Sequence, residues 1–385
     1  MVDTDRLVHF TQSLIRAKSP TGDESQVAKL VSEEMRALRF DHVWIDHDGN
    51  TIGVIEGEKP GPTLLLDAHA DTVGIAPGAE WTQDPFAANI VEGHLFGRGA
   101  ADMKGALAAM VQAAADVDRQ DLMGRVVVCA SVMEEVMEGY GLRAVMEALH
   151  PDMVVIGEST DLNLNRGGRG RAELKIETIG RPAHTSSPAV GLSAVDEMIK
   201  VIEGLKGMEL PSDPLLGPAI IALTDLISDP YPGHSVIPSR CRATFDRRVL
   251  PGDTPEMLIE QIRSLAALQP MDMKVELASG EYQTFNGTWI RGPKFFPAWV
   301  FDEGHPFVRT ALEGLRSTGL KPAMGAYRFC TNAAYSAGVA AIPTVGFGPG
   351  CEEDAHVVDE RLALEDLELA AQGYRGIIQA ALGAG

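Results

Sequence analysis

Residues 125–139, RVVVCASVMEEVMEG, join an apolar run to two adjacent carboxylates, Glu134 and Glu135. The run is short and rich in β-branched residues, which predicts a strand buried on both faces of a sheet. It belongs to a set of similar runs at 51–55, 63–69, 125–132 and 152–158. Helix-like stretches, 102–117 and 139–150, separate the last three of these runs. Strands that alternate with helices indicate βαβ units, so the sequence predicts an α/β fold with a mostly parallel sheet.

Composition narrows the class of protein. The chain has 385 residues, of which 45% are hydrophobic and 23% charged, enough apolar material for one large domain or two ordinary ones. The net charge of −21 argues against nucleic acid or an anionic membrane as a partner, and no apolar run approaches the roughly 18 residues of a membrane span. The first predicted helix, with Thr4 as its cap, is amphipathic and unlike a secretion signal. Four separated cysteines without a CxxC pair are typical of thiols in a reducing compartment, so we expect a cytoplasmic protein.

The middle of the chain follows a different pattern. Its predicted elements have βαββαβ order and lie at 172–180, 190–206, 218–228, 240–250, 255–267 and 272–279. This order is ferredoxin-like and is long enough for a separate domain. We therefore predict a first domain made of residues 1–170 and 285–385, with an α+β domain, residues 171–284, inserted into it.

Metal-competent side chains mark the ends of the predicted strands. They are His69 and Asp71 at the end of 63–69, Asp102 in a glycine-rich turn, Glu134 and Glu135 after 125–132, Glu158 at the end of 152–158, and His356 in a late loop. A single acid at a strand end is usually a solvated turn residue. In open parallel sheets, however, ligands bind beyond the carboxyl ends of the strands. A topology that gathers several such ends favours one shared site.

A ligand set of two histidines and three carboxylates suits Zn²⁺, with Co²⁺ or Mn²⁺ as substitutes, better than it suits a metal that prefers thiolates. Five ligands would crowd one ion, so we predict two ions bridged by Asp102; a single ion per chain is the alternative. Glu135 would bind metal. Because zinc lowers the pKa of bound water to about 7, Glu134 would take the proton from that water as a general base. Asp71 would hydrogen-bond the imidazole of His69 and orient it.

The chain closely resembles the dinuclear zinc aminoacylase family, which includes acetylornithine deacetylase, succinyl-diaminopimelate desuccinylase, carboxypeptidase G and related dipeptidases. The matching motifs are HADTV, GRGAADMKG, MEEVMEG, IGEST and AHVVDE, in the order and spacing of the family and over nearly the whole chain. The resemblance implies a zinc-peptidase-like catalytic domain with Glu134 as the general base. It also implies how the ions are shared: one zinc is held by His69, Asp102 and Glu158, the other by Asp102, Glu135 and His356.

The same resemblance implies that the inserted domain is a lid that also forms the contact of a homodimer. GRPAHTSSP resembles the histidine motif of the lid, so His184 would polarise the scissile carbonyl in the active site of the partner subunit. DRRVLPG resembles an arginine motif that grips a substrate carboxylate, with Arg248 the better match and Arg247 the alternative. An ordinary ion pair on a surface strand is the competing interpretation of these arginines. Asn332, in CTNAAY, resembles a residue that lines the substrate pocket.

Some positions depart from the family pattern. Ser235 stands where many relatives carry Asn, and Asp359 stands where Asn is usual. GGRGR, FFPAW and CTNAAYSAG are most similar to a subgroup labelled selenium-metabolism hydrolases.

Together, the residues and the resemblance predict a metal-dependent amide hydrolase that acts on a small N-acyl or N-carbamoyl amino acid bearing a carboxylate. A dipeptidase or carboxypeptidase with the same dinuclear mechanism is the alternative. A catalytically silent metal-binding protein, the third possibility, would not need the base Glu134.

Overall fold

The computed structural model describes residues 3–268 and 272–383. The chain divides into two compact units. The first comprises Met1–Gly168, Glu281–Arg291 and Trp299–Gly385, and the second comprises Arg169–Gly280 and Gly292–Ala298.

The α-helices of the described residues are α1 (Thr4–Arg16), α2 (Ser25–Ala37), α3 (Gly105–Ala115), α4 (Tyr140–Leu149), α5 (Ala194–Lys206), α6 (Pro255–Leu268), α7 (Pro306–Ser317) and α8 (Leu364–Leu382). Shorter helical turns lie at Ala100–Lys104, Arg119–Asp121, Pro188–Val190, Ala334–Val339 and Glu352–Asp354. The predicted cap of α1 was wrong by one residue. Thr4 is already helical, and the carboxylate of Asp3 accepts a hydrogen bond from the N–H of Arg6 at 3.1 Å.

The strands of the described residues are β1 (His42–Ile45), β2 (Thr51–Glu56), β3 (Lys59–His69), β4 (Ile90–Val91), β5 (His94–Phe96), β6 (Met123–Ser131), β7 (Met153–Ile156), β8 (Leu164–Gly168), β9 (Gly170–Ile179), β10 (Ser212–Asp213), β11 (Gly217–Pro218), β12 (Ile220–Asp229), β13 (Arg240–Val249), β14 (Asp272–Leu277), β15 (Ser279–Gln283), β16 (Trp289–Pro293), β17 (Phe295–Phe296), β18 (Trp299–Val300), β19 (Met324–Tyr327), β20 (Thr344–Gly346) and β21 (Arg361–Ala363).

A mixed sheet organises the first unit, with the strand order β1-β2-β6-β3-β7-β20-β8-β18 and β19 pairing with β8. Its central strands β6, β3, β7 and β20 are parallel, as predicted, and the neighbouring β2 and β8 are antiparallel to them. The outermost pairs, β1 with β2 and β18 with β8, are antiparallel too.

Both faces of this sheet are buried. Leu64 and Val126 belong to a core cluster with residues of α1, α2, α3, α7 and α8, whereas Leu65 and Val127 belong to a second cluster with residues of α4. Successive strand residues point to opposite faces, so an unbroken apolar run can serve both clusters. Each fully buried Val or Leu side chain contributes roughly 1.5–3 kcal/mol to the free energy of unfolding. Because a slip by one residue would move every side chain to the other face, this burial fixes the register of the strands and therefore where each one ends.

The second unit contains an antiparallel sheet with the order β12-β13-β9-β14, and β17 also pairs with β9. Helices α5 and α6 contribute to its single apolar cluster among the described residues. The sequence of elements β9-α5-β12-β13-α6-β14 in this strand order is ferredoxin-like. The pairing of Phe295 with Ala172 explains why residues 292–298 belong to this unit. The roles assigned to the two domains, catalytic and lid, stay predictions.

Candidate active site

The parallel strands of the first unit place the predicted ligands at one edge of the sheet. His69, the last residue of β3, is in register with Ser131, the last residue of β6. Asp67 is in register with Ile156, the last residue of β7. Glu134 and Glu135 follow β6 by a few residues, and Glu158 follows β7 in the same way. The geometry required for a shared site therefore comes from the register of the sheet.

Asp102 lies in the turn that precedes α3, where its backbone leaves helical geometry. Its Oδ1 is 2.9 Å from Nε2 of His69, and its Oδ2 is 3.0 Å from Nε2 of His356. Burial alone would raise the pKa of Asp102, but the hydrogen bonds with His356 and His69 hold it well below the usual range. The two oxygens of one carboxylate thus face two different imidazoles.

The adjacent acids diverge, although not through strand alternation. Strand β6 ends at Ser131, and Met133 adopts φ 64°, so the chain has already turned before Glu134. Glu135 directs Oε2 to within 3.1 Å of Nε2 of His356, and its Oε1 accepts the N–H of Val73 at 3.0 Å. Glu134 directs Oε2 to 4.0 Å from Nε2 of His69, and its Oε1 has no hydrogen-bond partner in the described part of the chain.

Glu158 completes a crowded set of carboxylates. Its Oε1 lies 3.5 Å from Nε2 of His69, and its side chain is buried. Burial raises the pKa of both Glu158 and Glu134 well above the ordinary carboxyl value, and the nearby charge of Asp102 raises that of Glu158 further. The hydrogen bonds with Asp102 and Glu135 raise the pKa of His356 to about 10.

This donor set fits divalent cations. Burying several carboxylates together is costly unless positive charge compensates them. Donor atoms within 4.8 Å of one another come from His69, Asp102 and Glu135 in one grouping and from His69, Glu134 and Glu158 in another. Nitrogen and carboxylate oxygen ligands in such proximity suit Zn²⁺. The groupings overlap, so the predicted assignment of ligands to two separate ions stays a prediction.

Asp71 has a different hydrogen-bonding pattern from the predicted one. The main-chain carbonyl of Asp71 lies 2.8 Å from Nδ1 of His69, whereas its carboxylate Oδ1 is 3.7 Å away. The carboxylate instead accepts the hydroxyl of Thr21 at 2.8 Å and the N–H groups of Glu134 and Glu135 at 3.2 and 3.3 Å. The side chain of Asp71 therefore joins the loop after β3 to the loop that carries both glutamates. Its position two residues after His69 gave no signal of that connection.

Asn332, predicted to line the substrate pocket, is buried and fully hydrogen-bonded. Its Nδ2 donates to Oδ2 of Asp67 at 2.8 Å and to Oγ of Ser131 at 2.9 Å, and its Oδ1 accepts the N–H of Gly139 at 2.6 Å. An amide offers two donors and one acceptor oxygen, and all three are engaged here. This geometry favours a role in holding the ends of β3 and β6 together over contact with a substrate.

Lys104 is a residue near the site that motif reasoning missed. Its ammonium group is buried and donates to the carbonyls of Leu14 and Ala17 at 3.0 and 2.8 Å, near the end of α1. Burial lowers the pKa of Lys104 to about 7. The signal in the sequence is a single basic residue, two positions after Asp102, in the otherwise apolar stretch AADMKGALAAM. The contacts tie the turn of Asp102 to α1.

The remaining predicted residues lie in the second unit. His184 is exposed, and the N–H of Ser186 donates to its Nδ1 at 3.1 Å. In the neutral imidazole the proton is therefore on Nε2, which makes that nitrogen a donor.

Arg247 and Arg248 point to opposite faces of β13. Arg247 is 2% exposed and its Nε and Nη1 have no partner in the described chain, whereas Nε of Arg248 lies 3.0 Å from Oδ1 of Asp246. The solvent-accessible guanidinium is thus that of Arg248.

No helix of the described residues has both the length and the hydrophobicity needed to cross a membrane.

Comparisons of the sequence with known proteins agree on one family. A family model described as Peptidase family M20/M25/M40 matches residues 65–380. The chain is 31% identical over 381 residues to the uncharacterized protein YgeY of Escherichia coli K12, covering 96% of this chain and 93% of that protein. It is 30% identical over 315 residues to the acetylornithine deacetylase of Proteus mirabilis, covering 79% and 76% respectively.

Solved structures share the fold. Aminopeptidase PepT from Bacillus cereus has a TM-score of 0.76 at 21% identity, with 99% of each chain covered. The YXEP protein of Bacillus subtilis, described as a dinuclear metal binding peptidase, has a TM-score of 0.72 at 18% identity, with 97% of each chain covered. With the family match over 65–380, these relatives lead to one conclusion: the chain belongs to the peptidase family M20/M25/M40 and is a metallohydrolase that acts on C–N bonds.

Proposed function

We propose that this enzyme hydrolyses the amide bond of a small N-acyl or N-carbamoyl amino acid with a free carboxylate. The observation that carries the proposal is the division of Asp102 between His69 and His356, at 2.9 and 3.0 Å. A carboxylate presented in this way is arranged to bridge two cations, each with its own imidazole. The similarity to an acetylornithine deacetylase supports an acylated amino acid as the substrate class.

The proposed cofactor is a pair of Zn²⁺ ions, for which Co²⁺ or Mn²⁺ could substitute. His69, Asp102 and Glu158 would hold one ion, and Asp102, Glu135 and His356 the other. Bound zinc supplies Lewis acidity and makes water acidic enough to lose a proton near neutral pH. The description of YXEP as a dinuclear metal binding peptidase supports two ions over the mononuclear alternative.

Glu134 is the proposed general base. Its Oε1 is buried, has no partner among the described residues and is therefore available to accept the proton of the attacking water. The same carboxyl group would deliver that proton to the amine as the C–N bond breaks. The backbone N–H groups of Glu134 and Glu135 donate hydrogen bonds to the carboxylate of Asp71, and these bonds hold the loop that carries the base in place.

Residues of the second unit would bind the substrate. His184, with a donor at Nε2, would stabilise the oxyanion that develops on the scissile carbonyl of a substrate bound in the active site of the partner subunit. Arg248, oriented by Asp246, would pair with the substrate carboxylate through parallel hydrogen bonds. Asp71 would act indirectly, by holding the loop of the base.

A homodimer through the second unit is part of the proposal. Strand β12 is a ten-residue edge strand, and Leu223, Leu226 and Ile227 on it are exposed. Long apolar edge strands are an aggregation hazard unless something covers them. A second copy of the same strand would complete the pairing. Leu226→Lys should shift the protein to monomer in sedimentation velocity, and Ile90→Lys, at a residue of similar exposure in the first unit, should leave the dimer intact.

A cytoplasmic location is also proposed. Cys129, Cys241, Cys330 and Cys351 are all free thiols, which suits a reducing compartment.

The deciding experiment is amine release from a panel of N-acetyl, N-succinyl and N-carbamoyl amino acids alongside unblocked dipeptides. Each assay would contain zinc or cobalt and would be repeated after chelation. Metal-dependent turnover of an acylated amino acid is the expected result. Turnover of dipeptides alone would favour the dipeptidase alternative. Inactivity across the panel in protein with bound metal would contradict the proposed substrate class.

A further inference from the structure

A buried carboxylate, that of Glu360, contacts the turn that presents Asp102. Its side chain is 0% exposed. Its Oε1 accepts the backbone N–H groups of Ala101 and Asp102 at 3.0 and 3.1 Å. A hydrogen bond is strong only near linear geometry, so two such bonds restrict the donating groups. They fix the orientation of the peptide groups from which the Asp102 side chain extends.

The second oxygen of Glu360 binds Arg98, which continues the connection to the loop of His356. Nη1 of Arg98 lies 2.5 Å from Oε2 of Glu360, and Nη2 donates to the carbonyl of Val357 at 3.3 Å. Val357 directly follows His356 in the chain. Trp81 covers the guanidinium, with its ring centre 5.4 Å from Cζ of Arg98. One buried ion pair therefore contacts two of the segments that carry a proposed ligand, the turn of Asp102 and the loop of His356.

The backbone around this pair is also held. Arg361 pairs with Phe96 between β21 and β5, and the N–H of Gly97 donates to the carbonyl of Glu360 at 2.9 Å. His356 adopts φ 61°, a left-handed conformation that a non-glycine residue keeps only where its surroundings impose it. His356 lies outside the helices and strands, so its loop depends on contacts of this kind to keep its conformation.

We propose that Arg98 and Glu360 are positioning residues that hold Asp102 and His356 at a fixed separation, and that they thereby set the affinity for the ion these two ligands would share. The inference rests on the proposed function, because it takes the metal site as given. A buried ion pair adds little stability, since the cost of removing both charges from water offsets their attraction. An apolar pair could fill the same space, but it could not bind the two N–H groups and the carbonyl that lead to the ligands.

The test compares metal binding in wild-type protein, Glu360→Ala, Glu360→Gln and a control, Glu34→Ala. Zinc affinity is measured by competition with a chromophoric chelator, and the ligand geometry is followed by the absorption of the cobalt-loaded protein. Replacing groups that orient metal ligands typically costs about 10- to 100-fold in affinity, and we expect a loss of this size for one ion in Glu360→Ala, with an altered cobalt spectrum. Glu360→Gln keeps an acceptor oxygen for the two N–H groups and should recover most of the affinity.

Glu34 is a matched control because it also accepts from a guanidinium and an amide. Nε of Arg6 and Nε2 of Gln112 both lie 2.7 Å from its Oε1. Gln112 is about two helical turns along α3 from the turn of Asp102. Glu34→Ala should lower the melting temperature and leave zinc affinity and the cobalt spectrum unchanged.

Folded Glu360→Ala protein with wild-type zinc affinity and cobalt spectrum would overturn the inference. If that variant does not fold, Arg98→Lys decides, because lysine keeps a positive charge beside Glu360 but lacks the second nitrogen that reaches Val357. Weaker binding of one ion in Arg98→Lys supports the inference, and unchanged binding of both refutes it. Wild-type protein that binds no pair of ions would overturn the proposed function as well, whereas a metal-binding, active wild type with an unaffected Glu360→Ala would overturn the inference alone.

Discussion

Glu24, the residue before α2, carries a carboxylate that the fold buries without full compensation. Its side chain is 0% exposed; Oε1 accepts the N–H of Gly22 at 2.9 Å, and Oε2 has no hydrogen-bond partner among the described residues. Burial, and after it the negative charge of Asp71, raises the pKa of Glu24 from 4.5 to about 7. This group should therefore make its own contribution to the pH dependence of the free energy of unfolding.

The direction follows from proton binding. Between pH 4.5 and about 7 the native state keeps the proton on Glu24, whereas the unfolded chain has released it. Because the native state binds more protons, the free energy of unfolding falls as pH rises through this window and stays low above it. A pKa change of one corresponds to about 1.36 kcal/mol, so a rise of about 2.5 corresponds to about 3 kcal/mol in the free energy of unfolding.

Glu24→Gln removes the titration at nearly constant volume. Urea denaturation at pH 5 and pH 8, with a chelator present, would give the free energy of unfolding of the variant and of wild type. From pH 5 to pH 8, the free energy of unfolding of the variant should rise by about 2.5 kcal/mol relative to that of wild type. A constant offset introduced by the amide does not affect this change. Glu33→Gln, on the exposed side of the same helix, should follow wild type at both pH values. A difference between Glu24→Gln and wild type that does not change with pH would show that Glu24 does not titrate on unfolding.

Three further predictions concern the site. Glu134→Gln should lower kcat by roughly 10²- to 10⁴-fold while the zinc content, measured by atomic absorption, stays at the wild-type value, because the variant loses a base and no proposed ligand; retained activity would remove Glu134 from the mechanism. His184→Ala should also be inactive, and mixing its subunits with those of Glu134→Gln should restore part of the activity if the histidine acts across the dimer. Asn332→Ala should cost about 3 kcal/mol in the free energy of unfolding, since it strips hydrogen bonds from Asp67 and from the N–H of Gly139, and leave KM nearly unchanged. A raised KM with unaltered stability would instead place Asn332 in contact with the substrate.

The ligand-bearing strand ends could be predicted because they follow from local pattern. The apolar runs at 63–69, 125–132 and 152–158 are long enough for strands and are separated by helices, and the structure has β3, β6 and β7 there in parallel register. Parallel register brings their carboxyl ends to one edge whatever the detail of the packing. The order of polar residues after those ends was therefore sufficient to predict a cluster around His69.

The partners of individual side chains could not be predicted in this way. Asn332 bonds to Asp67, and Glu360 bonds to the N–H of Asp102, across separations of 265 and 258 residues. Nothing in the spacing of either motif indicates such a partner. The sequence likewise suggested that the Asp71 side chain orients His69, but the carboxylate lies closer to the N–H groups of the glutamate loop than to the imidazole.

The class of fold and the kinds of ligand at the strand ends follow from the amino-acid sequence, because hydrophobic periodicity and residue chemistry are local properties of the chain. Folding is needed to settle how Asp102 divides its oxygens between His69 and His356. It also settles which of Arg247 and Arg248 reaches solvent, and which buried groups support the ligands. Hydrogen bonds and burial depend on distances of a few ångströms between distant segments, and these distances are set only when the sheet and its covering helices pack together.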